Sequence, residues 1–317
     1  MKAKKTSKTV IAIDIGGTKI ACAVVSRGGK ILYKTKELSK ISQGKDSFID
    51  QIERLVHGAQ AHSSGLKEVG IACAGPLDSY GGVLLDPTNF RTNGKTWGLF
   101  PILKKLHARM PKLTFTLEND AAAAILAEKW IGAARPYQNA MIMTLGTGLG
   151  ASAMVSGSLV RASHRIHPDA GLILVNYDDL TAPCGSGNYG SAESYLSGGN
   201  FVKRARTALG NQDLNVHDVL KLARKSPIIK KMLSEYAEVF AITLYNYATI
   251  YGPEIVILSG SFADAHALFL PKAKQILKKL LVRRHVGKIN LMPKIVLSPL
   301  GNNSCLLGGA YVAFFDR

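Results

Sequence analysis

The stretch Val10–Val25, VIAIDIGGTKIACAVV, constrains this chain more than any other. An apolar run ends at Asp14, two glycines follow, and after Thr18 and Lys19 a second apolar run returns. A run that is short and has no polar face reads as a strand buried on both sides. The pair predicts a hairpin with a glycine tip. It does not fit a strand-to-helix phosphate loop, because no helix follows and the spacing before Lys19 differs from that motif. Gly16 and Gly17 let backbone N–H groups approach an anion closely, while Thr18 and Lys19 add donors and positive charge. Asp14 beside such a cradle suits a magnesium ion, which takes one or two carboxylates plus substrate phosphates. The same residues also suit an ordinary tight hairpin.

The 317 residues suffice for two domains with cores. Apolar residues make up 47% and charged residues 20%, a globular balance. Cys22, Cys73, Cys184 and Cys305 show no paired spacing, so no disulfide framework is expected and a reducing cytoplasm fits. The basic N-terminus leads into a run broken by Asp14, without a cleavage-site pattern, so no signal peptide is expected. No uncharged apolar stretch is long enough for a membrane span. The net charge of +18 favours anionic partners: nucleotide phosphates, polyphosphate or nucleic acid. Its densest stretch, Lys272, Lys274, Lys278, Lys279, Arg283 and Arg284, alternates with Leu and Ile at helical spacing and reads as a solvated helix face.

Further along, residues 30–36 read as a third strand, 48–61 as a helix and 67–74 as a buried strand ending at Gly75-Pro76. Residues 89–97 read as a polar loop, 99–110 as a helix and 113–117 as a strand. Glu118-Asn119-Asp120 then opens an Ala-rich helix of high propensity. Residues 140–155 repeat the opening: an apolar run, the tip Gly146-Thr147-Gly148-Leu149-Gly150, and a returning run. A polar region covers 161–188, helices are expected over 193–222 and 227–250, and 253–258 is a buried strand before Ser259-Gly260-Ser261. A long helix, a strand over 294–297 and a closing helix from about Ser304 complete the chain. Strands alternating with helices after a leading meander predict an α/β fold with mixed sheets.

Four pieces in order, Asp14-Ile15-Gly16-Gly17-Thr18-Lys19, Leu117-Glu118-Asn119-Asp120-Ala121, the segment from Thr144 to Gly150 and the segment from Pro253 to Gly260, resemble the ROK family of sugar kinases and sugar-responsive repressors. The resemblance implies an actin-like, ribonuclease-H-like two-domain ATPase fold with a mixed sheet in each domain and nucleotide and sugar between them. The domains expected are 1–118, with a C-terminal helix over 303–317 packing back on it, and 119–302. Asp120 matches the family's base, which would accept the proton of the attacking sugar hydroxyl; a helix cap by Asn119 or Asp120 explains the same residues. Asn119, Gly75 and Asn89 match positions that line the sugar cleft. Asp14, Gly16, Gly17, Thr18 and Lys19 on one tip, and Gly146, Thr147 and Gly148 on the other, would hold the phosphates of ATP. Asp14 would hold Mg2+ through water, and Gly260 would lie against the adenosine.

The sequence departs from the family at its structural zinc site. The family carries Glu-x-Gly-His and then Cys-x-Cys-Gly-x-x-Gly-Cys-x-Glu. Here Leu172, Ser186 and Ser191 replace three of the four ligands and Cys184 alone remains, so no zinc is expected. His164 and His167 lie nearby but off the motif. Asp169 keeps the first acid on a shorter arm, and Glu193 keeps the last; both are expected sugar contacts, although an acid in a first helical turn is favoured on its own account.

The resemblance implies an ATP- and Mg2+-dependent hexose kinase acting at the 6-hydroxyl, of the glucokinase type, and, as in similar proteins, a homodimer; a cytoplasmic location is expected. A polyphosphate-dependent kinase, or an N-acetylhexosamine or fructose kinase of the same family, is the alternative. An inactive sugar sensor is a third, disfavoured by the retention of Asp14 and Asp120. Nine residues before Val10 are too few for a DNA-binding unit, so no specific nucleic-acid partner is expected.

Overall fold

The structure, a computed structural model, describes residues 8–63, 65–281, 285, 286 and 289–315. The chain forms two compact units. The first holds residues up to Pro136, the segment Leu159–Pro168 and the end of the chain from Asn303. The second holds Tyr137–Ser158 and Asp169–Asn302.

In the first unit, β1 (Thr9–Ile15), β2 (Lys19–Ser26) and β3 (Ile31–Leu38) form an antiparallel meander. After α1 (Lys45–Gln60), β4 (Glu68–Cys73) pairs parallel with β1. Short strands β5 (Leu77–Asp78), β6 (Val83–Leu85), β7 (Arg91–Thr92), β8 (Lys95–Thr96) and β9 (Leu99–Phe100) precede α2 (Ile102–Arg109). Next, β10 (Thr114–Asn119) pairs parallel with β4 and leads directly into α3 (Asp120–Ile131). The sheet order is β10-β4-β1-β2-β3, a mixed sheet.

The second unit repeats this plan. β11 (Ala140–Leu145) and β12 (Leu149–Val155) form the hairpin, with β13 (Ser158–Leu159) outside it. Then come α4 (Ala192–Leu196), α5 (Gly198–Leu209), α6 (Val216–Leu222) and α7 (Pro227–Tyr251). β14 (Ile255–Ser259), α8 (Leu270–Leu280), the short β15 (His285–Val286) and β16 (Ile289–Asn290), and β17 (Lys294–Leu297) follow. The order β17-β14-β11-β12-β13 matches the first sheet, with β14 parallel to both β11 and β17. The last helix, α9 (Ser304–Phe315), returns to the first unit.

Local chemistry explains where elements differ from the sequence expectation. The helix expected over 99–110 begins at Ile102, because Pro101 disfavours helical geometry at Phe100, which pairs in β9 instead. The helix expected over 193–222 is three helices. Ser197 breaks the first by capping α5 through the Asn200 N–H, and Gly210 ends α5 in a left-handed conformation. The loop expected over 89–97 contains the β7–β8 hairpin, pinned by Phe90 and Trp97 packing edge-on against Phe48. Helix α8 buries Leu270, Ala273 and Leu277 and turns Lys274, Lys278 and Lys279 to solvent; Arg283 and Arg284 lie outside the described residues. Among the described residues, no helix is long and apolar enough to cross a membrane.

The first unit extends past residue 118 because α3 and α9 are both apolar on nearly all sides and bury each other. Their contact is backbone on backbone: a Cβ added at Gly308 would stand 2.1 Å from the Ala123 carbonyl oxygen. On the sheet, a Cβ at Gly70 of β4 would stand 1.9 Å from the Gly309 carbonyl oxygen. Gly70→Val should therefore cost at least about 1–3 kcal/mol through overpacking. Urea unfolding at equilibrium checks this, and an unchanged midpoint would contradict the packing.

Candidate active site

In the first unit the parallel strands β1, β4 and β10 end side by side, with Ile15 opposite Cys73 and Cys73 opposite Asn119. The carboxyl ends of parallel strands are where open α/β sheets place ligands. The tip after β1 closes with the Gly16 N–H donating to the Lys19 carbonyl at 3.0 Å, and Gly17, Thr18 and Lys19 are exposed. Asn89 packs on this tip: a Cβ at Gly17 would be 3.0 Å from the Asn89 Cβ. The hairpin and aromatic cluster beyond Asn89 anchor its loop.

Asn119 caps α3. Its Oδ1 accepts the N–H groups of Ala121 and Ala122 at 2.9 and 3.1 Å, and its amide nitrogen faces Gly75, where a Cβ would be 3.1 Å away. Asp120 is the first helical residue, and its Oδ1 accepts the Ala121 N–H at 2.8 Å. The helix therefore has its cap in Asn119 and a second acid in its first turn, where the positive end of the dipole favours an ionised carboxylate.

Asp14 titrates far from the ordinary range. Burial first, and then the charge of Asp120, push its carboxyl up to about 7, while Lys36 and Lys34 pull the other way. Strand register explains the lysines: Asp14 lies opposite Ala21 and Ala21 opposite Lys36, so all three share one sheet face, with Lys34 two residues along. Lys34 Nζ also donates to Asn303 Oδ1, just ahead of α9. Burial and then the charges of the same two carboxylates push up the thiols of buried Cys73, at the end of β4, and half-buried Cys305, at the start of α9. A divalent cation would relieve this repulsion, so the residues fit a magnesium site at Asp14.

In the second unit the tip Gly146–Gly150 is braced from four sides. The Gly146 carbonyl accepts the N–H groups of Gly198 and Gly199, at 2.8 and 3.3 Å, from the start of α5. Gly260 sits at φ +87°, and a Cβ there would press on the Leu145 backbone within 2.6–2.8 Å. Gly171 abuts the Leu149 carbonyl, where a Cβ would be 2.2 Å away. Glu193 supplies the fourth brace: Oε2 accepts the Leu149 N–H at 3.0 Å and Oε1 accepts the Gly185 N–H at 3.1 Å. A Cβ at Gly148 would be 2.7 Å from Glu193 Oε2. The Asp169 carboxyl is shifted upward by burial and then by Glu193, although the residue as a whole is exposed.

The structure thus brings together Asp14, Gly16, Gly17, Thr18, Lys19, Gly75, Asn89, Asn119 and Asp120 in the first unit. It brings together Gly146, Thr147, Gly148, Asp169, Glu193 and Gly260 in the second. At the positions of the family's zinc ligands, Cys184 Sγ and Ser186 Oγ hydrogen-bond at 2.8 Å, and Ser191 caps α4. Among the described residues, no three His, Cys, Asp or Glu side chains group as metal ligands. Sequence reasoning assigned no role to the buried Glu118 or to its partner Arg161, whose Nη2 lies 2.5 Å from Glu118 Oε2. An acid at the end of a buried strand signals that a partner is needed, but no spacing identifies it.

Asp14 has a raised native pKa, so its contribution to stability is present at low pH and is lost as pH rises from about 4 through about 7. Asp14→Asn should gain stability over wild type across that window, with the gain levelling above it. Chemical unfolding at pH 5, 6, 7 and 8 reads this; a pH-independent difference would contradict the shift.

A family model described as the ROK family matches residues 10–314. The glucokinase of Thermotoga maritima is 27% identical over 317 residues, covering 96% of each chain. The N-acetyl-D-glucosamine kinase of Escherichia coli O6:H1 is 26% identical over 312 residues, covering 96% of this chain and 98% of the relative. The crystal structure of a ROK family glucokinase from Streptomyces griseus, in complex with glucose and AMPPNP, superposes with a TM-score of 0.79 at 28% identity, covering 95% of this chain and 98% of that one. The duplicated mixed-sheet plan and the match over nearly the whole chain lead to one conclusion: this protein belongs to the ROK family and has the actin-like, ribonuclease-H-like ATPase fold.

Proposed function

We infer that this protein, a sugar kinase of the ROK family, transfers the terminal phosphoryl group of ATP to the 6-hydroxyl of a hexose, with Asp120 as general base. The observation that carries this reading is the pair of acids at the strand ends: Asp14, whose carboxyl is lifted to about 7 by burial and by Asp120, and Asp120 at the head of α3. Phosphoryl transfer asks the protein mainly for positioning and charge neutralisation. Asp120 accepts the proton as the hydroxyl oxygen forms its bond to phosphorus and the bond to the ADP oxygen breaks. In the first unit the tip Gly16–Lys19 is assigned to the phosphates; in the second, Gly146–Gly148 is assigned to the phosphates and Gly260 to the adenosine. Asp14 would hold Mg2+, which when bound neutralises phosphate charge. Asn119, Asn89, Gly75, Asp169 and Glu193 are assigned to the sugar hydroxyls.

Relatives named for glucose and for N-acetylglucosamine leave the hexose to experiment. Lys34 and Lys36, on the Asp14 face of the sheet, favour polyphosphate as a second donor. We assign the enzyme to the cytoplasm, as a homodimer.

The test is a coupled assay of glucose, mannose, fructose, N-acetylglucosamine and N-acetylmannosamine, each with ATP and with polyphosphate. ATP-dependent turnover of at least one hexose is expected, and turnover of none would leave an inactive sensor. Asp120→Asn should lower kcat by about 10²–10⁴-fold while sugar binding by calorimetry changes little. Near-normal turnover in that variant would refute the base.

A further inference from the structure

Glu118 ends one residue before the cap of α3, and its side chain is fully buried. Its Oε1 accepts the Asn119 N–H at 2.7 Å, the Ser79 hydroxyl at 3.1 Å and Arg161 Nη1 at 3.0 Å. Its Oε2 accepts Arg161 Nη2 at 2.5 Å. Arg161 belongs to Leu159–Pro168, the short segment that the first unit takes from mid-chain. Four residues later, the Arg165 guanidinium lies over the Tyr80 ring, 4.9 Å from its centroid. The segment therefore grips both the Ser79–Tyr80 turn and the end of β10.

A bidentate arginine–carboxylate pair fixes geometry as well as charge. Removing the guanidinium alone leaves a buried carboxylate uncompensated, a far worse state than losing both charges together. Such a carboxylate must turn toward other donors, and one bond it then gives up or distorts is the one to the Asn119 N–H. Asn119 in turn caps α3 and precedes Asp120. The path from Arg161 to the acid is thus three contacts long: guanidinium to Glu118, Glu118 to the Asn119 backbone, Asn119 to the head of α3.

We propose that Arg161 is a positioning residue for phosphoryl transfer, setting through Glu118 the strand-to-helix turn that presents Asn119 and Asp120. The proposal rests on the base role assigned to Asp120. Lysine cannot take the place of Arg161, because an ammonium does not form two parallel bonds to one carboxylate.

The test compares the full-length wild type with Arg161→Met, Arg161→Lys and the double variant Arg161→Met/Glu118→Gln. Two readouts are taken: amide hydrogen exchange over residues 119–122, and ATP-dependent turnover of the sugar that wild type uses fastest. Arg161→Met should lose at least tenfold in kcat/KM for the sugar, with the KM for ATP within twofold, and exchange over 119–122 should quicken at least tenfold. The double variant should regain most of both, since the amide oxygen of Gln can still accept the Asn119 N–H without leaving a buried charge. Wild-type values in Arg161→Met, or a double variant no better than the single one, would overturn the proposal. If Arg161→Met does not fold, Arg161→Lys takes its place, and a double variant no better than Arg161→Lys overturns it. If wild type phosphorylates no sugar, the kinase reading fails separately, and the exchange data alone decide whether Arg161 sets the turn.

Discussion

The first unit is built around a repulsion. Asp14 lies near the carboxyl end of β1, and Asp120 follows the carboxyl end of β10, with β4 between the two strands; burial first, and then the Asp120 charge, raise the Asp14 pKa to about 7. Two acids held close together and partly out of water destabilise a fold unless something offsets them. Here the offsets are local: the Ala121 N–H on Asp120, the positive end of α3, and Lys36 and Lys34 on the Asp14 face of the sheet. Helix α9 lies against β4 and α3 through Gly70, Gly308 and Gly309, and Asn303 just ahead of it accepts a hydrogen bond from Lys34. A cation bound at Asp14 would convert the cost of this arrangement into affinity.

The second unit solves a different problem, holding a glycine-rich turn still. A tip of Gly, Thr and Leu has few side chains of its own to pack. Its order comes from outside: α5 on the Gly146 carbonyl, Gly260 under Leu145, and Glu193 on the Leu149 N–H. Glu193 also reaches the Gly185 N–H, so one carboxylate joins the tip to the loop in which Ser186 and Ser191 stand. That loop is held by hydrogen bonds of its own, including Cys184 to Ser186 and the Tyr195 hydroxyl to Asp179.

Much of this was legible in the residues. Fully apolar runs ending at Asp14 and at Leu145 marked both hairpins, and an Ala-rich run after Glu118-Asn119-Asp120 marked α3. The echo of the opening at residues 140–155 marked the second hairpin as a copy of the first. What could not be read shares one physical cause, which is contact between residues far apart in the chain. Nothing near Arg161 names Glu118 as its partner, and nothing near Asn89 shows that it rests on Gly17. The extension of the first unit to Pro136 depends on a glycine, Gly308, meeting Ala123 from the other end of the chain. Helix breaks at Ser197 and Gly210 were written locally but masked by continuous helical periodicity.

The most direct measurement is the carboxyl titration of Asp14, followed by carbon NMR in the metal-free protein and in Asp120→Asn. A midpoint near 7 is expected in wild type and a lower one once the Asp120 charge is removed. A midpoint in the ordinary aspartate range near 4, unchanged by that substitution, would contradict it.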